Sequence, residues 1–75
     1  MPSKSQKYRL FLEKLRQARL DAGLTQAEAG KLLHRDQTFV SKCESGERRV
    51  DFIELREFAR IYRKSLDFFE QGLDD

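Results

Sequence analysis

Tryptophan is absent from this chain, and cysteine, proline, histidine and methionine occur once each. A single cysteine, Cys43, cannot close an internal disulfide, so nothing here asks for an oxidising compartment. The one proline stands at position 2 and the four glycines never run together, which leaves no sign of a linker or a second domain. His34 and Cys43 are too few for a metal site, which takes three or four ligands. As a nucleophilic pair they would need an accessible thiol and a third group to hold the imidazole, and Cys43 sits on an apolar stripe instead. No enzyme, no metal and no cofactor is expected. No apolar run is long enough for a membrane span or a signal-peptide core, which points to a soluble, cytoplasmic protein with no membrane partner.

What is present suits one small domain covering residues 1–75, with a core over about 6–72. Six Phe, two Tyr and many Leu, Ile and Val supply apolar mass, although chains of this size bury only about 60% of their unfolded surface. Charged residues make up 37% of the chain and no strand-like alternation occurs, so the expected class is all-α. The net charge of +2 is unevenly spread. Lys and Arg dominate up to Arg49, whereas Asp and Glu dominate from Val50 onward. A basic front is what a phosphate-facing surface needs.

Five helices can be read in order. The first is predicted over Gln6 to Ala22, with Tyr8, Phe11, Leu12, Leu15, Ala18 and Ala22 inward and Gly23 as its stop. Thr25 and Glu28 form a capping-box pattern that opens a second helix at Gln26, with Ala29, Leu32 and Leu33 inward. Gly30 inside that helix costs about 0.5–1 kcal/mol relative to alanine, and close approach of two helices over a tight turn is the packing reason for it. Asp36 is an N-cap for a third helix from Gln37, with Val40 and Cys43 inward and Gly46 as its exit. Asp51 and Glu54 repeat the capping box for a helix over Phe52 to Tyr62, with Phe52, Leu55, Phe58, Ala59 and Tyr62 inward. Ser65 is predicted to cap a last helix, Leu66 to Gln71, closed by Gly72. Residues 1–5 read as polar and frayed, and Leu73-Asp74-Asp75 as a polar tail.

The stretch from Leu24 to Gly46 resembles the helix-turn-helix of the Cro and lambda-repressor family, also called the xenobiotic-response-element (XRE) family. Leu24-Thr25-Gln26, Ala27-Glu28, Gln37-Thr38, Val40-Ser41-Lys42, Glu44 and Gly46-Glu47-Arg48 carry the likeness, which extends over roughly residues 12–70. It departs from the family pattern at His34, where glycine is usual, at Arg35, where a small or β-branched residue is usual, and at Ala29 in place of leucine. The resemblance implies a five-helix lambda-repressor-like bundle that binds double-stranded DNA and regulates transcription, as repressors of this type do. It also implies an internal ion pair between Arg19 and Glu44 and a phosphate contact at Gln26. Two rivals share the fold: an antitoxin or restriction-system controller, and a protein-interaction module that does not read DNA.

The candidate DNA contacts are Gln26, Arg35, Gln37, Thr38, Phe39, Ser41, Lys42, Arg48 and Arg49. Gln37, Thr38, Ser41 and Lys42 form a donor-rich face on the third helix. Glutamine can bond adenine in bidentate fashion, lysine suits guanine O6 and N7, and threonine can meet a thymine methyl. Gln26 lies at a helix start, where free N–H groups favour an anion. Arg35 is expected to hold its guanidinium outside the turn. Arg48 and Arg49 read as phosphate clamps in a loop. Phe39 is expected either to pack on that loop or to touch sugar and thymine methyl groups. One small domain reads few base pairs, so a homodimer on a palindromic site is expected, with Phe68, Phe69 and Leu73 as its interface. With no effector domain in view, no small-molecule effector is expected.

Overall fold

The computed structural model describes residues 6–73; the polar ends at 1–5 and 74–75 lie outside the described residues. Five helices follow one another: α1 (Gln6–Asp21), α2 (Gln26–Leu32), α3 (Gln37–Ser45), α4 (Phe52–Tyr62) and α5 (Leu66–Glu70). There is no strand among the described residues, so the all-α expectation holds.

The helix starts follow from side-chain chemistry. Thr25 Oγ1 accepts from Glu28 N at 3.0 Å while Glu28 Oε1 accepts from Thr25 N at 2.9 Å, which completes the first capping box. Asp51 and Glu54 complete the second in the same way. Asp36 accepts from Phe39 N at 3.0 Å and opens α3. Ser65 departs from expectation: its side chain makes no cap bond, and its backbone carbonyl alone accepts from Phe68 N at 3.1 Å.

Helix ends are built on left-handed residues. Gly23, at φ 74°, lets Leu24 N reach back to the carbonyl of Arg19 and ends α1 one residue before Ala22. The same closure recurs at α2 and α4, but with His34 and Arg63 at φ 60° instead of glycine. Arg35 N donates to Gly30 O at 2.8 Å and Lys64 N to Ala59 O at 3.0 Å. Histidine is among the residues that visit this region more often than most, whereas nothing in the sequence singles out Arg63.

Gly30 shows why a helix interior tolerates glycine here. A Cβ at this position would lie 2.9 Å from the carbonyl oxygens of Arg35 and Asp36, so the turn backbone is seated directly on α2. That contact locks α2 against the start of α3.

The core draws on all five helices. Phe11, Leu15 and Ala18 of α1 meet Ala29 of α2, Val40 and Cys43 of α3, Phe58, Ala59 and Tyr62 of α4, and Phe69 of α5. Phe39 stacks on Phe58 with centroids 6.1 Å apart, and Phe58 in turn meets Tyr62 at 5.7 Å. The Tyr62 hydroxyl is buried with no hydrogen-bond partner among the described residues, and burial pushes its pKa upward.

Three residues expected to point inward do not. Ala22 lies past the end of α1 and is exposed. Leu32 closes a seven-residue helix whose inward direction is taken by Ala29 and Leu33. Phe52, in the first turn of α4, projects beyond the buried stripe that begins at Leu55 and is 61% exposed.

The expected Phe68–Phe69–Leu73 patch is also corrected. α5 folds back on α1, and Phe69 packs against Phe11 with centroids 6.3 Å apart, leaving it 1% exposed. Phe68 lies edge-on to Phe69, with the ammonium groups of Lys14 and Lys64 at 5.3 and 4.4 Å from its ring centroid. Leu73 is half-buried in a groove with Tyr8, Phe11 and Val50. The short last helix therefore plugs the core and presents no open apolar surface at Phe69.

Candidate nucleic-acid interface

The outward side of α3 carries Gln37, Thr38 and Lys42, all exposed, with Ser41 half-buried beside them. Three of these side chains are free to turn toward solvent, while Gln37 is tied inward at one point. Its Nε2 donates to Gln26 Oε1 at 3.4 Å, and Gln26 Nε2 donates to Glu44 Oε1 at 3.0 Å.

Glu44 is the inner anchor of that chain. Arg19 Nε donates to its Oε2 at 2.6 Å and Arg19 Nη2 to its Oε1 at 3.1 Å, while Nη1 donates to Leu24 O at 3.0 Å. The two side chains are 10% and 6% exposed, so this is a buried, bidentate pair. Breaking one partner of such a pair leaves an uncompensated charge and costs about 3–5 kcal/mol. The bond to Glu44 raises the Arg19 pKa further above an already high value. The internal ion pair implied by the family resemblance is thus present, joining α1 to the last turn of α3, and Gln26 links it to Gln37 at the first turn.

Phe39 is 8% exposed and belongs to the core, not to the surface. One ring face stacks on Phe58, and the Arg35 guanidinium lies 3.7 Å from its centroid with that of Arg48 at 4.9 Å. Cations over a ring face gain from its quadrupole, so Phe39 holds two arginines in place. Of the two expected roles Phe39 takes the packing one, against the loop at Arg48, and the ring is too covered by the arginines it supports to reach DNA. Arg35 itself is exposed, as its place in the turn requires.

The two loop arginines differ. Arg48 Nη1 and Nη2 donate to Glu54 Oε1 and Oε2 at 2.8 and 2.7 Å, and Nη1 also donates to Arg49 O at 3.0 Å. The same Glu54 closes the α4 capping box, so one carboxylate ties the loop to the helix start. The Arg48 guanidinium holds the Glu54 carboxyl below the usual range. Arg48 is therefore a brace, whereas Arg49 is exposed, its guanidinium 4.3 Å from the Tyr8 ring centroid. Tyr8 also fixes the loop backbone, since Val50 N donates to its hydroxyl at 3.2 Å. Sequence reasoning placed Tyr8 only in the core. Its partner is 42 positions away, which no local pattern reports.

Cys43 is fully buried, and desolvation pushes its thiol pKa up, away from a reactive thiolate. Among the described residues no group of three or more His, Cys, Asp or Glu side chains is placed to hold a metal ion. Among the same residues no helix is long and apolar enough to cross a membrane.

Residues 10–67 match a family described as a helix-turn-helix domain. A solved structure of an XRE-family like protein from Pseudomonas syringae pv. tomato str. DC3000 superposes with a TM-score of 0.83 at 39% sequence identity. The alignment covers 92% of this chain and 84% of that one. No curated protein matches. A five-helix bundle with a turn seated on Gly30, the Arg19–Glu44 pair beneath its third helix and a relative of this identity lead to one assignment: the chain belongs to the XRE family of Cro-type helix-turn-helix domains.

Proposed function

We propose that this protein is a transcriptional regulator that binds double-stranded DNA, as a homodimer on a palindromic operator. The observation that carries the reading is the exposed α3 face of Gln37, Thr38 and Lys42, on which Gln37 is backed through Gln26 by a buried ion pair. A base-reading side chain loses less entropy on binding when it is already held, so such backing favours readout over a merely solvated surface. Ser41 stands beside this face, and Arg35 and Arg49 are exposed cations on either side of it in sequence.

In this reading α3 enters the major groove. Gln37 pairs with adenine, Lys42 with guanine, and Thr38 meets a thymine methyl. Gln26 approaches a phosphate at the start of α2, and Arg49 supplies a second, sequence-independent contact. Arg48 and Phe39 hold the loop and the turn in register without touching DNA. Two copies related by a twofold axis would place their α3 helices about 34–36 Å apart, one helical turn of the duplex.

A selection of bound sequences from a random duplex library tests this. The expected outcome is an inverted repeat whose half-sites share a short core. Titration of the selected site and a scrambled duplex at two salt concentrations should show affinity for both falling with salt, with a preference of about 10³ or more for the selected site. Failure to enrich any sequence, together with no salt-dependent binding to either duplex, would remove the reading.

A further inference from the structure

With Phe69 in the core, the large apolar side chains still exposed among the described residues are Leu10, Leu20, Leu32, Phe52 and Ile53. The three leucines stand singly in sequence and each is less than half exposed, which needs no special explanation. Phe52 and Ile53 are adjacent, 61% and 59% exposed, and fixed on the first turn of a helix with a complete capping box. Both forgo their burial free energy in the isolated chain.

From Ile53 an exposed stripe continues through Arg56, Glu57 and Arg60, at spacings of three, four and seven residues. These four side chains line one shallow depression. α4 therefore has two working faces: Leu55, Phe58, Ala59 and Tyr62 turn toward the bundle, and the Ile53–Arg60 stripe turns away from it.

The outer stripe is complementary to itself. Laid antiparallel against a copy of itself, with a twofold axis between positions 56 and 57, Arg56 of each copy faces Glu57 of the other. The same operation lays Ile53 on the aliphatic stem of the second copy's Arg60, with Phe52 at the margin. A twofold contact requires one patch that matches itself in both shape and sign. This stripe meets that condition, because each charge on it finds its opposite or an apolar neighbour. Duplex DNA suits the stripe less well, since the exposed Glu57 at its centre repels phosphate.

We propose that the outer face of α4, centred on Ile53 with Phe52 beside it, is the surface on which two copies of this chain pair. The proposal rests on the two-copy reading above and names the interface for it. It replaces the C-terminal cluster that the sequence suggested.

Sedimentation of the full chain without DNA, over a micromolar concentration series, provides the test. The wild type should dimerise, and Ile53→Asp and Phe52→Asp should each weaken self-association by about tenfold or more. Their helical circular dichroism should not change, because both side chains are exposed. Glu57→Arg alone should also weaken pairing, and the double variant Arg56→Glu/Glu57→Arg should restore it by exchanging the two signs. Dimers unaffected at Phe52 and Ile53, or a double variant no better than the single one, would overturn the proposal. So would a wild type that stays monomeric both free and on a two-half-site duplex. On a duplex with one half-site, Ile53→Asp should bind like the wild type; a loss there would assign the patch to DNA and overturn the pairing. A wild type that dimerises through this face but ignores every duplex would remove the DNA reading and leave the interface standing.

Discussion

His34 and Arg63 occupy the left-handed backbone region that glycine adopts without a Cβ penalty, and each closes its helix there. A non-glycine residue in that conformation costs roughly 1–2 kcal/mol, part of which glycine would give back through its freer unfolded chain. His34→Gly should therefore raise the unfolding midpoint, by about 0.5–1 kcal/mol of stability. Thermal denaturation checks this, and a lower midpoint would show that the His34 side chain contributes more than its backbone strain costs. Tyr62 supports an opposite kind of prediction. Its hydroxyl is buried without a partner among the described residues, so Tyr62→Phe removes a desolvated group and no bond. Urea unfolding of this variant should show unchanged or higher stability, and a loss above about 1 kcal/mol would reveal a hydrogen bond at that oxygen.

At the scale of elements, the loop between α3 and α4 turns on the division of labour between its arginines. Glu54 is held below the usual carboxylate range chiefly by its bonds from Arg48. A depressed folded-state pKa contributes stability above the unfolded value, near pH 4.3, and that contribution vanishes as acid protonates the folded carboxylate. The stability gap between wild type and Glu54→Gln should thus be widest near neutral pH and narrow as pH falls below about 4. A gap that stayed constant would mean the pair carries no net electrostatic stabilisation. On the proposed DNA reading, Arg49→Ala should reduce the salt slope of binding by about one, at a cost in fold stability of no more than about 1 kcal/mol from its contact with Tyr8. Arg48→Ala should instead lower stability and weaken the phosphate contact only as the loop loosens. Equal slopes for wild type and Arg49→Ala would place that guanidinium away from phosphate.

These elements also show what the sequence can and cannot report. Capping boxes at Thr25 and Asp51 are local, so their bonds were legible from two partners three residues apart at each helix start. The reason for Gly30 was legible too, because a tight turn of few residues leaves little choice about what must lie against it. By contrast, Phe68 and Phe69 are adjacent on a five-residue helix, and which of them turns inward depends on where α1 runs. The Arg48–Glu54 pair spans six residues across a loop, a spacing that no helical or strand period singles out. Arg63 in a left-handed conformation leaves no mark on the sequence at all.

For the whole molecule, the described part measures 33 × 23 × 20 Å, a size at which α3 is never far from the core. Gln37→Ala should relax base preference and cost about 1–3 kcal/mol on the selected operator, with far less effect on random duplex. Equal losses on both would take α3 out of the reading role. The chain of bonds from Arg19 through Glu44 and Gln26 to Gln37 then has a consequence for evolution and engineering. Transplanting the outward residues of α3 onto a sister scaffold would carry the operator preference only if Gln26, Glu44 and Arg19 travelled with them. On the proposed DNA reading, the recognition alphabet would be written partly in the interior, and a drift in core sequence would change its dialect without altering a single letter on the surface.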